Sequence, residues 1–220
     1  MKIITEMSRG LAIATCSFCI GACAPAPTVA SENLNYEGLA EVRIRTLDKA
    51  QVRPDVVFSV YSGVILDEVE LAFRTPDRSV QQFPLSKDQQ DRFHDLLTTA
   101  FRSELIGLQN LQLVDAPDRD VLELRVRVQD ITATVPPRSV ANVGRAAMAL
   151  QAVGEVTLVL SLYDSRSGEI LARAVDARTV SGAAVGADGE MITRWEGVER
   201  LTAQWAATTR QRLEALVNGR

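Results

Sequence analysis

The residues able to do acid–base or nucleophilic chemistry are few. The 220-residue chain has one histidine, His94, and three cysteines, Cys16, Cys19 and Cys23. A Ser-His-Asp relay would have to use His94, and no G-x-S-x-G elbow precedes any candidate serine. His94 falls in the first turns of an expected helix, where a solvent-facing or hydrogen-bonded imidazole is the simpler reading. Asp115, Asp118 and Asp120 form the densest acidic group. Clustered carboxylates can hold Ca²⁺, but the spacing lacks the glycine and terminal glutamate of a calcium loop, and Asp with Pro is what a turn uses. Asp67 lies on the apolar side of a strand alternation. It reads as a hydrogen-bonded strand-end carboxylate or as an acid of raised pKa, and no partner for the second role is visible. No G-x-G-x-x-G or Walker pattern is present to cradle phosphate. No cofactor, no metal and no catalytic residue is expected.

The cysteines point to an address instead. Lys2 and Arg9 flank a short polar start, and residues 10–22 then run apolar to Ala22. Thirteen such residues are too few to span a bilayer, which takes about 20. A charged start, a short apolar run and small residues at its end are the layout of an export signal. The run ends Ile20-Gly21-Ala22-Cys23, which resembles the bacterial lipobox. That resemblance implies cleavage between Ala22 and Cys23, a diacylglycerol thioether on Cys23 and fatty acylation (palmitate) of the new amino terminus. One acyl chain binds marginally, whereas two or three anchor stably. Ala24 rather than Asp follows, which in such lipoproteins goes with the outer membrane, periplasmic face; the inner membrane is the alternative. Cleavage after Ala30 would instead give a soluble periplasmic product. Cys16 and Cys19 have C-x-x-C spacing but lie inside the export segment, so the mature chain keeps Cys23 alone. Residues 23–38 then read as a Pro-containing tether, and 39–220 as one domain.

Composition agrees with a folded domain: 46% of residues are hydrophobic and 24% charged, far from the signature of disorder. The net charge is −4 although the export segment is net positive, so the domain is acidic and has no general attraction to nucleic acid.

Periodicity supplies the elements that would position a site. Residues 41–45 read as a short strand and 62–73 as a longer one, with Ile65, Val69, Leu71 and Phe73 on one face. Ser86 and Gln89 form a capping box, followed by Phe93, Leu97, Phe101 and Leu105 at helical spacing to Gly107. Strands are expected at 120–132, 154–163 and 169–179, the last two joined by a turn at Asp164 to Gly168. Thr193 and Glu196 have capping-box spacing before a second helix with a stripe of Val198, Leu201, Trp205, Leu213 and Leu216. Residues 180–189 read as a loop, and 136–151 as a long connection with a candidate helix at 143–150. The sum is an α+β two-layer sandwich, a largely antiparallel sheet with two main helices on one face. The opposite sheet face would carry Arg125, Arg127, Tyr163 and Arg173, a mixture suited to contact with a protein partner or to an ordinary solvated surface.

Several segments together carry a family resemblance: Leu47-Asp48-Lys49-Ala50, Leu66 to Phe73, Leu113 to Pro117, Asp120 to Leu124, Gly154 to Leu160, and Ser167 to Arg173 followed by Asp176. The set resembles the proteobacterial lipoproteins grouped as domain of unknown function thirty-three-thirteen. The resemblance implies a lipidated envelope protein and carries over no catalytic residues. The expected role is a non-enzymatic binding, scaffold or assembly component, held at the membrane by covalent lipid. The alternatives are a periplasmic hydrolase or ligand-binding enzyme using Asp67 or the 115–120 group, or a subunit of an oligomeric envelope assembly.

Overall fold

The computed structural model describes residues 34–73, 85–131, 153–181, 183–185, 191–193 and 195–219. The export segment, Cys23, the tether to residue 33 and the 143–150 helix lie outside them. Along the described chain run β1 (Ala40–Val42), β2 (Lys49–Val52), a 3-10 turn (Phe58–Val60), β3 (Gly63–Leu66), β4 (Glu70–Phe73), α1 (Lys87–Ile106), β5 (Gln112–Leu113), β6 (Val121–Ile131), β7 (Val153–Asp164), β8 (Ile170–Ser181), β9 (Ala183–Val185), β10 (Met191–Thr193) and α2 (Trp195–Val217).

The alternation in β6 does what period two dictates: Leu122, Leu124, Val126 and Val128 are all buried. The last three stand in register with Leu162, Leu160 and Leu158 of β7, Leu124 facing Leu162 across the antiparallel ladder, and Leu122 stands opposite Asp164. The turn after β7 is built on Asp164, whose Oδ1 accepts from the Ser167 backbone N–H at 2.7 Å, the Ser167 hydroxyl at 2.9 Å and the Arg166 N–H at 3.1 Å. Gly168 closes it at φ +70°, a region where a Cβ costs about 1–2 kcal/mol.

Eight strands form one sheet in the order β1-β2-β8-β7-β6-β3-β5, with β4 also pairing β6. From β1 to β6 every pairing is antiparallel. β3 and β4 lie parallel to β6, and β5 parallel to β3, an arrangement that needs a crossover, which α1 supplies. The single strand expected at 62–73 is therefore two, paired to successive halves of β6. The break changes which side chains are buried: Val64 and Val69 are core, whereas Phe73 is exposed. The first strand is Ala40–Val42 rather than 41–45, and β2, with no alternation to mark it, was not expected. The 180–189 segment is not simply a loop, because β8 continues to Ser181 and β9 pairs antiparallel with β10.

α1 starts as its cap dictates. The Ser86 hydroxyl accepts from the Gln89 N–H at 3.3 Å and the Gln89 side chain accepts from the Ser86 N–H at 2.9 Å. Phe93, Leu97, Phe101 and Leu105 form its buried stripe, and Gly107 ends it. α2 adds Trp205, Ala206, Leu213 and Val217 to the same core. Each large side chain buried there contributes about 1.5–3 kcal/mol. Thr193 ends β10, and the cap of α2 lies outside the described side chains. Arg210 of α2 reaches Glu104 of α1 at 2.7 Å, and Arg92 of α1 reaches Glu199 of α2 at 3.2 Å. Both helices thus pack on one sheet face. Among the described residues no helix is long and apolar enough to cross a membrane.

Candidate functional site

The outer sheet face brings its predicted residues together. Cross-strand register forms one row of Arg125, Ser161, Arg173, Gln51 and Glu41 over five strands, with Tyr163 beside it opposite Glu123. Arg125 lies over the Tyr163 ring, its guanidinium carbon 4.3 Å from the centroid. Each arginine also meets a carboxylate: Arg125 meets Glu123 and, at 3.2 Å, Asp67; Arg127 meets Glu70 at 3.6 Å. Arg173 is gripped by both carboxylate oxygens of Glu37, the longer contact 2.9 Å. Glu37 belongs to residues 34–38, assigned above to the tether. Here they form a turn in which Asn35 Oδ1 accepts from the Glu37 and Leu39 N–H groups, both at 2.9 Å. The face is therefore charge-balanced, and its Arg173 end is occupied by the chain itself.

The other sequence candidates do not converge. Asp67 sits at the break between β3 and β4, where its N–H donates to Leu124 O at 3.0 Å and its Oδ1 accepts from the Glu68 N–H at 2.8 Å. It is the strand-end, hydrogen-bonded carboxylate of the first reading. Asp115 faces Arg102 at 3.7 Å, Asp118 accepts from the Arg119 N–H at 2.7 Å, and Asp120 accepts from the Ser62 hydroxyl. His94 is half-exposed beside Asp95. Among the described residues no three His, Cys, Asp or Glu side chains are placed to hold a metal.

One titrating pair is distinctive. Tyr61 donates to Asp164 Oδ2 at 2.9 Å. Burial first, and the carboxylate second, push the Tyr61 phenol up to about 12. Burial pushes Asp164 up, but the bonds from Ser167, Tyr61 and Arg166 outweigh it and hold the carboxyl below its ordinary value. The pair ties the core to the β7–β8 turn, so its role is structural.

The feature that sequence reasoning missed lies on the helix side of the sheet. Two helices do not cover eight strands, and the β8–β2–β1 wing carries small side chains there. Two cross-strand rows run Leu124, Leu162, Ala172, Val52, Ala40 and Val126, Leu160, Ala174, Ala50, Val42. Between this alanine floor and the Trp205, Leu213 and Leu216 wall of α2 lies a cavity of about 1160 Å³. Arg43, Ile44 and Leu47 and the turn around Phe58 also line it. The one acid in its floor, Asp176, is 3% exposed. It accepts from Trp205 Nε1 at 2.8 Å and pairs with Arg178 through both oxygens at 2.9 Å. At the 43–47 end, Arg212 Nη2 donates to Thr46 Oγ1 at 2.7 Å, while its buried Nε has no hydrogen-bond partner. The signal available in sequence was the alternation Ala172, Ala174, Asp176 in β8, small and acidic at positions expected to face helices.

Residues 28–209 match the model of a family described as protein of unknown function (DUF3313). No curated protein matches the sequence. Among solved structures the chain is similar to a PelC dodecamer from Paraburkholderia phytofirmans, at 13% identity over 75% of this chain and 94% of that one, with a TM-score of 0.38. It is also similar to a Xanthomonas campestris protein at 13% identity, over 72% and 86% of the two chains, TM-score 0.41. A minor lipoprotein from Acinetobacter baumannii shows 15% identity over 71% and 94%, TM-score 0.33.

Proposed function

The chain belongs to the DUF3313 family of proteins of unknown function, and from that premise we propose that it is a lipid-anchored protein of the bacterial envelope that acts by binding rather than by catalysis. The observation that carries the reading is Cys23, placed directly after a 13-residue apolar run that ends Ile20-Gly21-Ala22. The covalent lipid holds the domain at the periplasmic face of the outer membrane, through a tether that includes two prolines.

Two features of the fold support the binding role. The carboxylates singled out from sequence, Asp67 and the 115–120 group, are held by separate local contacts and converge on no shared site. The cavity between the β8–β2–β1 wing and α2 is lined mainly by aliphatic side chains, the usual composition of a binding site. A scaffold or assembly role uses the same surfaces, and Arg125, Arg127 and Tyr163 remain its candidate partner face. The test is fractionation of cells producing the wild-type chain or Cys23→Ala, with mass spectrometry of the amino-terminal peptide. Wild type is expected in the membrane fraction with acylated Cys23, and the variant as unprocessed precursor or released protein. An unmodified Cys23 thiol on a freely soluble wild-type product would remove the reading.

A further inference from the structure

We infer that the cavity between the β8–β2–β1 wing and α2 binds a lipid-like amphiphile, its alkyl chain along the alanine floor and its anionic head group at Arg212 and Arg43. The inference deepens the tethered-binder reading above and rests on it for the source of the ligand, the membrane itself.

Wall chemistry selects the chain. The side chains of Ala172, Ala174, Leu160 and Leu216 offer no hydrogen bonds; of the acids that line the cavity, Glu41, Asp55 and Asp176, the last is hydrogen-bonded through Oδ2 to Trp205 and Arg178 and ion-paired through Oδ1 with Arg178. A peptide segment in this place would bury N–H and C=O groups, which costs several kcal/mol for each group left unpaired. Strands β8 and β2 cannot pair them, because β8 is bonded to β7 and β2, and β2 to β8 and β1; of the wing only β1, at the rim, is an edge strand, and its Ala40 is already bridged to Leu34. An alkyl chain asks for no hydrogen bonds. The volume of about 1160 Å³ lies just past the upper end of the ~300–1,000 Å³ of ordinary small-molecule pockets and has room for an alkyl chain.

Charge selects the head group. On the outer face, Arg125, Arg127 and Arg173 each meet a carboxylate. Arg43 lines the cavity and has no ion pair among the described residues, and Arg212 has only the Thr46 hydroxyl while its buried Nε lacks an acceptor. An acidic domain thus keeps two uncommitted cations at the same 43–47 end of an apolar cavity. A carboxylate or phosphate there would supply the missing acceptor.

Position selects the source. The ten residues 24–33 lead into Leu34 and then β1, whose Ala40 and Val42 line the cavity. Ten residues would reach roughly 30 Å at about 3.1 Å per extended residue, so an anchored Cys23 would keep Leu34, at the start of the domain, within about that distance of the bilayer. Val57, at the cavity edge, is 60% exposed, which leaves an apolar lip on the path of entry.

The experiment uses the chain from residue 23 onward carrying Cys23→Ala, made without the export segment. Its probe is cis-parinaric acid, a fatty acid whose fluorescence rises in apolar surroundings. The expected result is saturable binding by a monomer, displaced by oleate and not by inorganic phosphate. Ala174→Leu, which fills the floor, is expected to weaken binding about tenfold or more, equivalent to ~1.4 kcal/mol, with an unchanged melting temperature. Ala172→Leu is the second floor variant, should Ala174→Leu not fold. Arg212→Gln is expected to weaken oleate about tenfold while leaving methyl oleate unchanged. Binding that is unaltered in both folded floor variants overturns the inference. So does the absence of binding by the wild-type monomer, or a dimer in which the cavity is covered by the second copy. Because the assay contains no lipid anchor, its failure leaves the Cys23 reading standing, and an unmodified Cys23 in cells leaves a positive binding result standing.

Discussion

Replacing Asp176 with alanine tests the account of the α2–sheet junction most directly. The carboxylate is almost fully buried and accepts a 2.8 Å bond from the Trp205 indole, the contact that fixes α2 over β8. A hydrogen bond to a charged group contributes about 1.5–3 kcal/mol, and a buried donor left without a partner costs about 1–3 kcal/mol. Arg178 contributes much less, because it is 46% exposed and returns to water when its partner is removed, as surface pairs worth about 0–1 kcal/mol do. Water entering from the neighbouring cavity offsets part of the indole cost, so the expected loss for Asp176→Ala is about 3 kcal/mol. Asp176→Asn keeps an acceptor for the indole and is expected to lose about 1 kcal/mol. Urea unfolding followed by circular dichroism, with the slope checked for constancy, measures both. A double-mutant cycle with Trp205→Phe then isolates the pair. A loss below about 1 kcal/mol for Asp176→Ala, or equal losses for the two substitutions, would refute the reasoning, because about 3 kcal/mol is a large fraction of an ordinary domain's stability.

Three further perturbations follow from the local geometry. Ser86→Ala removes the hydroxyl that accepts from Gln89 N–H at the start of α1 and is expected to cost about 1 kcal/mol in the same urea assay. Gly168→Ala places a Cβ at φ +70° with no atom within 4 Å; backbone strain alone is then expected to cost about 1 kcal/mol, and Gly168→Asn less. The Tyr61–Asp164 pair makes stability pH-dependent at both extremes. The depressed Asp164 pKa gives stability that is present above the ordinary carboxylate range and lost as pH falls through its folded value, so Ser167→Ala should flatten the acid limb of the stability profile. The raised Tyr61 pKa gives stability present below the unfolded tyrosine value of about 10 and lost as pH rises through about 12. Tyr61→Phe should remove that alkaline loss, as read by melting temperature against pH.

Local chemistry was legible from the residues alone. Ser86 and Gln89 are three residues apart and Gly107 lies just past the last apolar position, so α1 needed nothing distant to set its ends. The β6, β7 and β8 strands and the turn at Asp164 were legible because alternation and turn chemistry act between near neighbours. The 62–73 stretch misled because one period-two pattern ran across a break that is imposed by pairing with β6. β2 had no pattern at all; it is a strand because β1 and β8 lie on either side of it.

Sequence by itself determined which residues share a face in β6, β7 and β8, where α1 starts and stops, and the Cys23 context that underlies the proposed anchor. Those properties depend on spacings of a few residues along one chain. Only the tertiary structure decided what covers each face. It set Glu37 on Arg173, at a separation of 136 residues, and it set the alanines of β8 and β2 along the wall of a cavity that α2 also lines. Periodicity fixes the side from which a residue projects; the distance to the opposing layer is settled by how many strands the two helices must span.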